Sequence, residues 1–176
     1  MDSLYECSIW DGKDHEQESY IDGAMLLYYN KTDRKEYIME NYSVQVPPYT
    51  VGPEAYKKIE KQCHIYGSKA VVIGGKKAMA AAKEKLLCAV EDTGIEIVDF
   101  VWFGGECTLE NAEALEQLEA VQQADVIFAV GGGKAIDTCK LVSIALEKPY
   151  FSFPTIASNC APTSAVSIVY NEDGTF

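Results

Sequence analysis

Three consecutive glycines and a lysine, Gly131-Gly132-Gly133-Lys134, follow the unbroken apolar run Val126 to Val130 and precede a segment with helical apolar spacing. A buried strand that hands such a loop to a helix gathers several backbone N–H groups around one point, where the helix dipole also favours negative charge. That point suits a phosphate. Glycine lets an anion approach the backbone closely, and Lys134 supplies a compensating cation. The loop is not a Walker A motif: Ala129 and Phe128 stand four and five positions before Gly133, and Ala135 follows Lys134 in place of Ser or Thr. Nor is it G-x-G-x-x-G, because Ile136 occupies the third glycine position. On spacing alone, a tight strand-to-helix turn with no ligand remains the alternative.

Other reactive side chains are sparse. The six cysteines, Cys7, Cys63, Cys88, Cys107, Cys139 and Cys160, lie far apart with no C-x-x-C pair, which suits reduced thiols in a core better than a disulfide frame or zinc knuckle. The two histidines, His15 and His64, both precede the glycine loop, and no set of residues has metal-ligand spacing. No catalytic residue and no metal ligand is therefore assigned within the chain.

The elements that would position the loop follow from alternating short apolar runs and amphipathic stretches beginning at Tyr42, the pattern of a parallel sheet with crossover helices. Strands are expected at Val44 to Pro47, Ala70 to Ile73, Ile95 to Val101, Val126 to Val130 and Tyr150 to Phe153. Helices are expected from Pro53 to Gly67, over 77–92, from a Thr108 cap through Ala112, Leu115, Leu118 and Val121, and over 134–147. Glu110, Glu113, Glu116 and Glu119 read as a solvated face. Val166 to Tyr170 reads as a strand entering a turn at Asn171 to Gly174. The chain stops before a partner for that strand, which suggests a piece of a longer protein. Residues 1–41, rich in tyrosine and acid, read as an N-terminal extension of unknown role, and 42–176 as the α/β domain.

The formal charge is −12 and Arg34 is the only arginine, so no basic face exists for nucleic acid or an anionic membrane. Any anionic ligand must be held by local groups. The N-terminus lacks a signal-peptide pattern, and no apolar run approaches the roughly 18 residues needed to span a bilayer. A soluble, cytoplasmic protein is expected.

The combination G-G-G-K-x-x-D-x-x-K, Gly131 to Lys140, with Pro154-Thr155-Ile156-Ala157-Ser158-Asn159-Cys160-Ala161-Pro162-Thr163-Ser164 resembles the glycerol dehydrogenase branch of the iron- or zinc-dependent alcohol dehydrogenases. Phe103-Gly104-Gly105-Glu106-Cys107 and Val169-Tyr170-Asn171-Glu172-Asp173-Gly174 also look like that family, so the resemblance covers residues 42–176. It implies a Rossmann-like parallel sheet with helices on both faces, as in the N-terminal domain of dehydroquinate synthase-like proteins. It also implies a C-terminal helical metal domain that this chain lacks. By the same resemblance Gly131, Gly132, Gly133 and Lys134 hold the pyrophosphate of NAD or NADP, and Asp137 is a further cofactor contact. Thr155, Ser158, Ser164, Val166 and Tyr170 would line the adenine and nicotinamide-ribose path. The implied reaction is oxidation of a small alcohol, polyol or hydroxy acid, with zinc or iron bound only in the full-length protein, the isolated chain inactive, and a homo-oligomer compatible with it. A lyase of the dehydroquinate synthase type shares the fold, but the Thr155 to Ser164 segment looks like the dehydrogenase branch.

Two departures qualify the substrate and cofactor. Glycerol-specific members carry an aspartate where this chain has Cys160; a thiol cannot accept two strong hydrogen bonds from a diol, and a cysteine here resembles a hydroxycarboxylate dehydrogenase-like subgroup. After the second strand, members preferring NAD carry an aspartate for the adenosine ribose, whereas Gly74-Gly75-Lys76-Lys77 offers two cations, which tilts toward NADP unless both lysines are merely solvated. A non-catalytic nucleotide-binding or interaction module is the alternative function.

Overall fold

The computed structural model describes residues 6–10 and 47–171. Six strands form one sheet: β1 (Glu6–Trp10), β2 (Tyr49–Val51), β3 (Lys69–Gly74), β4 (Glu96–Trp102), β5 (Val126–Gly131) and β6 (Tyr150–Pro154). The order is β2-β1-β6-β5-β3-β4. Strands β4, β3, β5 and β6 run parallel, while β1 pairs antiparallel with both β6 and β2. The antiparallel edge thus draws Glu6–Trp10 from the segment set apart in the sequence as an extension. The expected strand from Val44 falls outside the described residues except for Pro47, which is not in a strand.

Five α-helices complete the described chain: α1 (Ile59–Cys63), α2 (Lys76–Val90), α3 (Leu109–Glu116), α4 (Glu119–Gln123) and α5 (Gly133–Leu146). Alternation along the strands decides which face each covers, because successive side chains point to opposite sides. Ala70, Val72, Phe128, Val130, Phe151 and Phe153 meet Ile59, Cys63, Met79, Ala82 and Leu86 from α1 and α2. Val71, Ile73, Ile127, Ala129 and Tyr150 meet Ala112, Leu115, Val121, Ile136, Cys139 and Val142 from α3, α4 and α5. Both faces of the central strands are therefore dry, which explains why β5 reads as a continuous apolar run without period. The expected α/β fold, a parallel sheet with helices on both faces, is the observed one.

Two expected elements differ. The helix anticipated from Pro53 to Gly67 begins as a 3-10 turn at Ala55–Lys58 before becoming α1. The stretch from Thr108 to Val121 is two helices. Thr108 does cap α3, accepting from Asn111 N–H at 3.2 Å, but Leu118 is extended (ψ 132°) and 40% exposed. Acids at Glu110, Glu113, Glu116 and Glu119 bring like charges together at i, i+3 spacing, which works against one continuous helix.

The sheet has a reversal that matters for ligands. Helix α2 leaves β3 onto one face, while α5 leaves the adjacent β5 onto the other. Beyond the carboxyl ends of two such strands their turns diverge, and the opening between them is where open α/β sheets take ligands.

Candidate functional site

Gly131, Gly132 and Gly133 lie at that divergence. Gly131 has φ 152°, a conformation that L side chains rarely adopt, and a Cβ there would sit 3.0 Å from Ala135 Cβ. Gly132 is the N-cap of α5 and offers no capping side chain. The first intrahelical bond is Ile136 N–H to Gly132 C=O at 3.1 Å, so the N–H groups of Gly133, Lys134 and Ala135 lack helical partners. A Cβ on Gly132 would crowd Ile156 at 3.0 Å, and one on Gly133 would crowd Asn159 at 3.1 Å. The bare turn, with free donors at the end of a 14-residue helix, fits a pyrophosphate.

Lys134 stands at the mouth. Its Nζ donates to Glu106 Oε2 at 2.6 Å and lies 5.4 Å from the centre of the Tyr170 ring. The hydrogen bond to Glu106 raises the Lys134 pKa, so the ammonium stays charged. Tyr170 is brought there by its backbone, whose N–H donates to Cys107 C=O at 2.8 Å.

Asp137 lies one turn deeper and is buried with Lys140, their ion pair closing at 2.8 Å. Lys140 Nζ also donates to Val166 C=O at 2.7 Å and Ser164 Oγ at 3.3 Å; the second oxygen of Asp137 accepts from Ile168 N–H at 3.2 Å. Burial lowers the Lys140 pKa and Asp137 opposes that shift. This pair straps segment 164–168 across α5. Residues 166–170 consequently form no strand, contrary to the sequence expectation, because side chains of α5 and the Cys107 carbonyl take up their backbone groups. Of the expected turn at Asn171 to Gly174, residues 172–174 lie outside the described residues.

Thr155 joins the two turns. Its N–H donates to Gly131 C=O at 3.0 Å, and its side of the opening is a groove shared with Gly75, Lys76, Lys77 and Trp102. Lys76 Nζ lies 4.3 Å from the Trp102 ring centre. Ser158 and Cys160 sit exposed on the following loop. The fold thus brings Gly131 to Lys134, Thr155, Ser164, Val166 and Tyr170 around the N-terminal half of α5. The loop's approach to Gly132 and Gly133 runs through Ile156 and Asn159, not through Ser158 or Cys160. Sequence reasoning missed Glu106 as the partner of Lys134, since 28 residues separate them. It also missed the Asp137–Lys140 pair, although the i, i+3 spacing was a visible signal.

Among the described residues no group of three or more His, Cys, Asp or Glu is placed to hold a metal ion, and no helix is long and apolar enough to cross a membrane.

Comparison with known proteins identifies relatives that share this fold. A glycerol dehydrogenase of Escherichia coli O6:H1 is 30% identical over 128 residues, 73% of this chain and 35% of that protein. Hydroxycarboxylate dehydrogenase A of Escherichia coli K12 is 36% identical over 107 residues, 61% of this chain and 28% of that protein. The crystal structure of glycerol dehydrogenase from Schizosaccharomyces pombe superposes with a TM-score of 0.59 at 29% identity, over 69% of this chain and 30% of that one. The chain therefore spans about a third of the length of these relatives. The model of the iron-containing alcohol dehydrogenases matches residues 47–175, which takes in both turns and every residue of the candidate site, and the chain belongs to that family.

Proposed function

We propose that this chain is the dinucleotide-binding part of an NAD(P)-linked oxidoreductase acting on the CH–OH group of a small alcohol, polyol or hydroxy acid. The observation that carries the reading is the side-chain-free turn Gly131 to Gly133, set where adjacent strands send their helices to opposite faces and ending in unpaired N–H groups. Bound there, the nicotinamide would supply the hydride acceptor. The backbone of Gly131 to Gly133 and the Lys134 ammonium hold the pyrophosphate. Thr155, Ser158, Ser164, Val166 and Tyr170 border the rest of the cofactor path, and Asp137 acts by fixing Lys140 and the 164–168 strap. We place the zinc or iron of the full-length protein outside this chain. Cys160, exposed on the loop after β6, is our candidate substrate contact: its weakly hydrogen-bonding thiol holds a diol poorly and, unlike the aspartate of glycerol-specific members, does not repel the carboxylate of a hydroxy acid.

The finer cofactor reading is NADP. Lys76 and Lys77 open α2 with no acid in its first turn, and the groove they share with Trp102 and Thr155 contains no carboxylate. A 2′-phosphate there meets cations and no repulsion.

Titration of the purified chain with NADH and NADPH, followed by tryptophan quenching, tests both statements. Saturable binding of both, tighter for NADPH, is expected. Absence of saturable binding to either removes the dinucleotide reading, and equal affinities remove the NADP preference. Alcohol oxidation by the chain alone with added zinc or iron contradicts the placement of the metal elsewhere.

A further inference from the structure

Glu106 has no part in the function proposed above, yet the loop Phe103 to Cys107 is built to present it. Asn111 Nδ2 donates to the Glu106 backbone carbonyl at 2.8 Å, and Gly104 packs so close to Asn111 that a Cβ would fall 2.4 Å from its amide carbon. Thr108 fixes the same Asn111 by its backbone, and the Cys107 carbonyl accepts from Tyr170. The side chain so presented lays Oε2 against Lys134 at 2.6 Å, while Oε1 is buried and accepts no hydrogen bond.

A structural ion pair would satisfy both carboxylate oxygens, since an unpaired buried oxygen carries a desolvation cost. Half-satisfied, this one is held only at its Lys134 end. The pair is also partly exposed, with side chains 54% and 36% accessible, so water screens it and it is cheap to separate. A pyrophosphate settling on the N–H groups of Gly133 to Ala135 would compete for the same ammonium and would repel the carboxylate. We infer that Glu106 is an internal counterion of the cradle, which an anionic ligand must displace from Lys134, so that Glu106 sets how tightly the site takes anions. This rests on the dinucleotide reading for the identity of the natural ligand. The competition for Lys134 depends only on the ligand's negative charge. In a chain of net charge −12 with one arginine, such a carboxylate keeps the only cation of the turn from holding small anions indiscriminately.

Calorimetric titration of wild type, Glu106→Gln and Glu106→Ala with NADH, inorganic pyrophosphate and uncharged adenosine tests this. Because the Glu106 backbone, not its side chain, anchors Asn111, both variants keep the loop. Both are expected to bind NADH and pyrophosphate about three- to fivefold more tightly than wild type, the range of a partly exposed charge interaction, with adenosine unchanged. An equal gain for adenosine assigns the effect to loop rearrangement and overturns the proposal, as does unchanged or weakened binding of both anions. If wild type fails to bind NADH, the dinucleotide reading falls separately, and the pyrophosphate titrations still decide the role of Glu106.

Discussion

The turn after β3 and the turn after β5 are neighbours with nearly the same vocabulary: glycines, then lysine at a helix N-terminus. They use it differently. In the first turn, glycine is required by the sheet: a Cβ on Gly74 would lie 2.1 Å from the Val130 carbonyl oxygen, whereas Gly75 has nothing nearer than 3.8 Å. Its lysines are exposed, one over Trp102 and neither facing a carboxylate in the groove. In the second turn the backbone itself is unusual at Gly131, its lysine is paired with Glu106, and the helix behind it is clamped by the buried Asp137–Lys140 pair. One turn is an open cationic ledge, and the other is a strapped cradle with its charge already balanced. Identical residue types acquire different roles from what the fold sets opposite them.

The strap gives the largest expected difference. Asp137→Asn leaves the Lys140 ammonium buried without its counterion and should cost about 3–5 kcal/mol in urea denaturation, while Lys77→Met on α2 should stay within about 0.5 kcal/mol. Equal effects would mean that α5 is not clamped as described.

Gly74→Ala should then lower stability by about 2–3 kcal/mol, because the new methyl meets backbone rather than a yielding side chain. Gly75→Ala should be close to neutral in the same thermal melts. A stable Gly74→Ala would show that the first glycine does not serve strand packing.

The two lysines should separate by ligand. Lys134→Met is expected to weaken NADH and NADPH alike by about tenfold, the scale of a charge-assisted hydrogen bond to phosphate. Lys76→Met should weaken NADPH by about as much and leave NADH unchanged. If Lys76→Met weakens both equally, the ledge contributes only a general field.

The smallest effect lies behind the cradle. Burial pushes the Cys107 thiol up from 9.0 to about 11. A raised pKa means that the folded state favours the protonated thiol. Its contribution is therefore complete below about pH 9 and fades as pH climbs through about 11. Melting temperature measured across that window should fall, and Cys107→Ala should flatten part of the fall. The first turn has no counterpart thiol, so a Gly75→Ala chain should keep the full slope.

Much of the frame was legible in the residues. Val126 to Val130 had to be a doubly buried strand, because five apolar residues in a row leave no wet face, and Gly131 to Gly133 had to be a turn open to backbone approach. Thr108 was recognisable as a cap because its hydroxyl needs only the N–H three residues ahead. Local sequence misled where the outcome hinged on contacts from afar. Val166 to Tyr170 has strand composition, yet its backbone groups are taken by Asp137, Lys140 and Cys107 before any ladder can form. Leu118 fits the apolar stripe of a helix running on from Thr108; in the fold that leucine is extended and partly exposed between two helices.

By itself, then, the sequence determined the parallel α/β frame, the glycine turn at a helix N-terminus and the family that the chain belongs to, since these rest on period, composition and neighbouring residues. The tertiary structure decided the charge partners around that turn. Which lysine is free and which is paired depends on a carboxylate 28 positions away, delivered by a different strand. Electrostatic partnership is set by distance in space and by burial, and neither is written in local order along the chain.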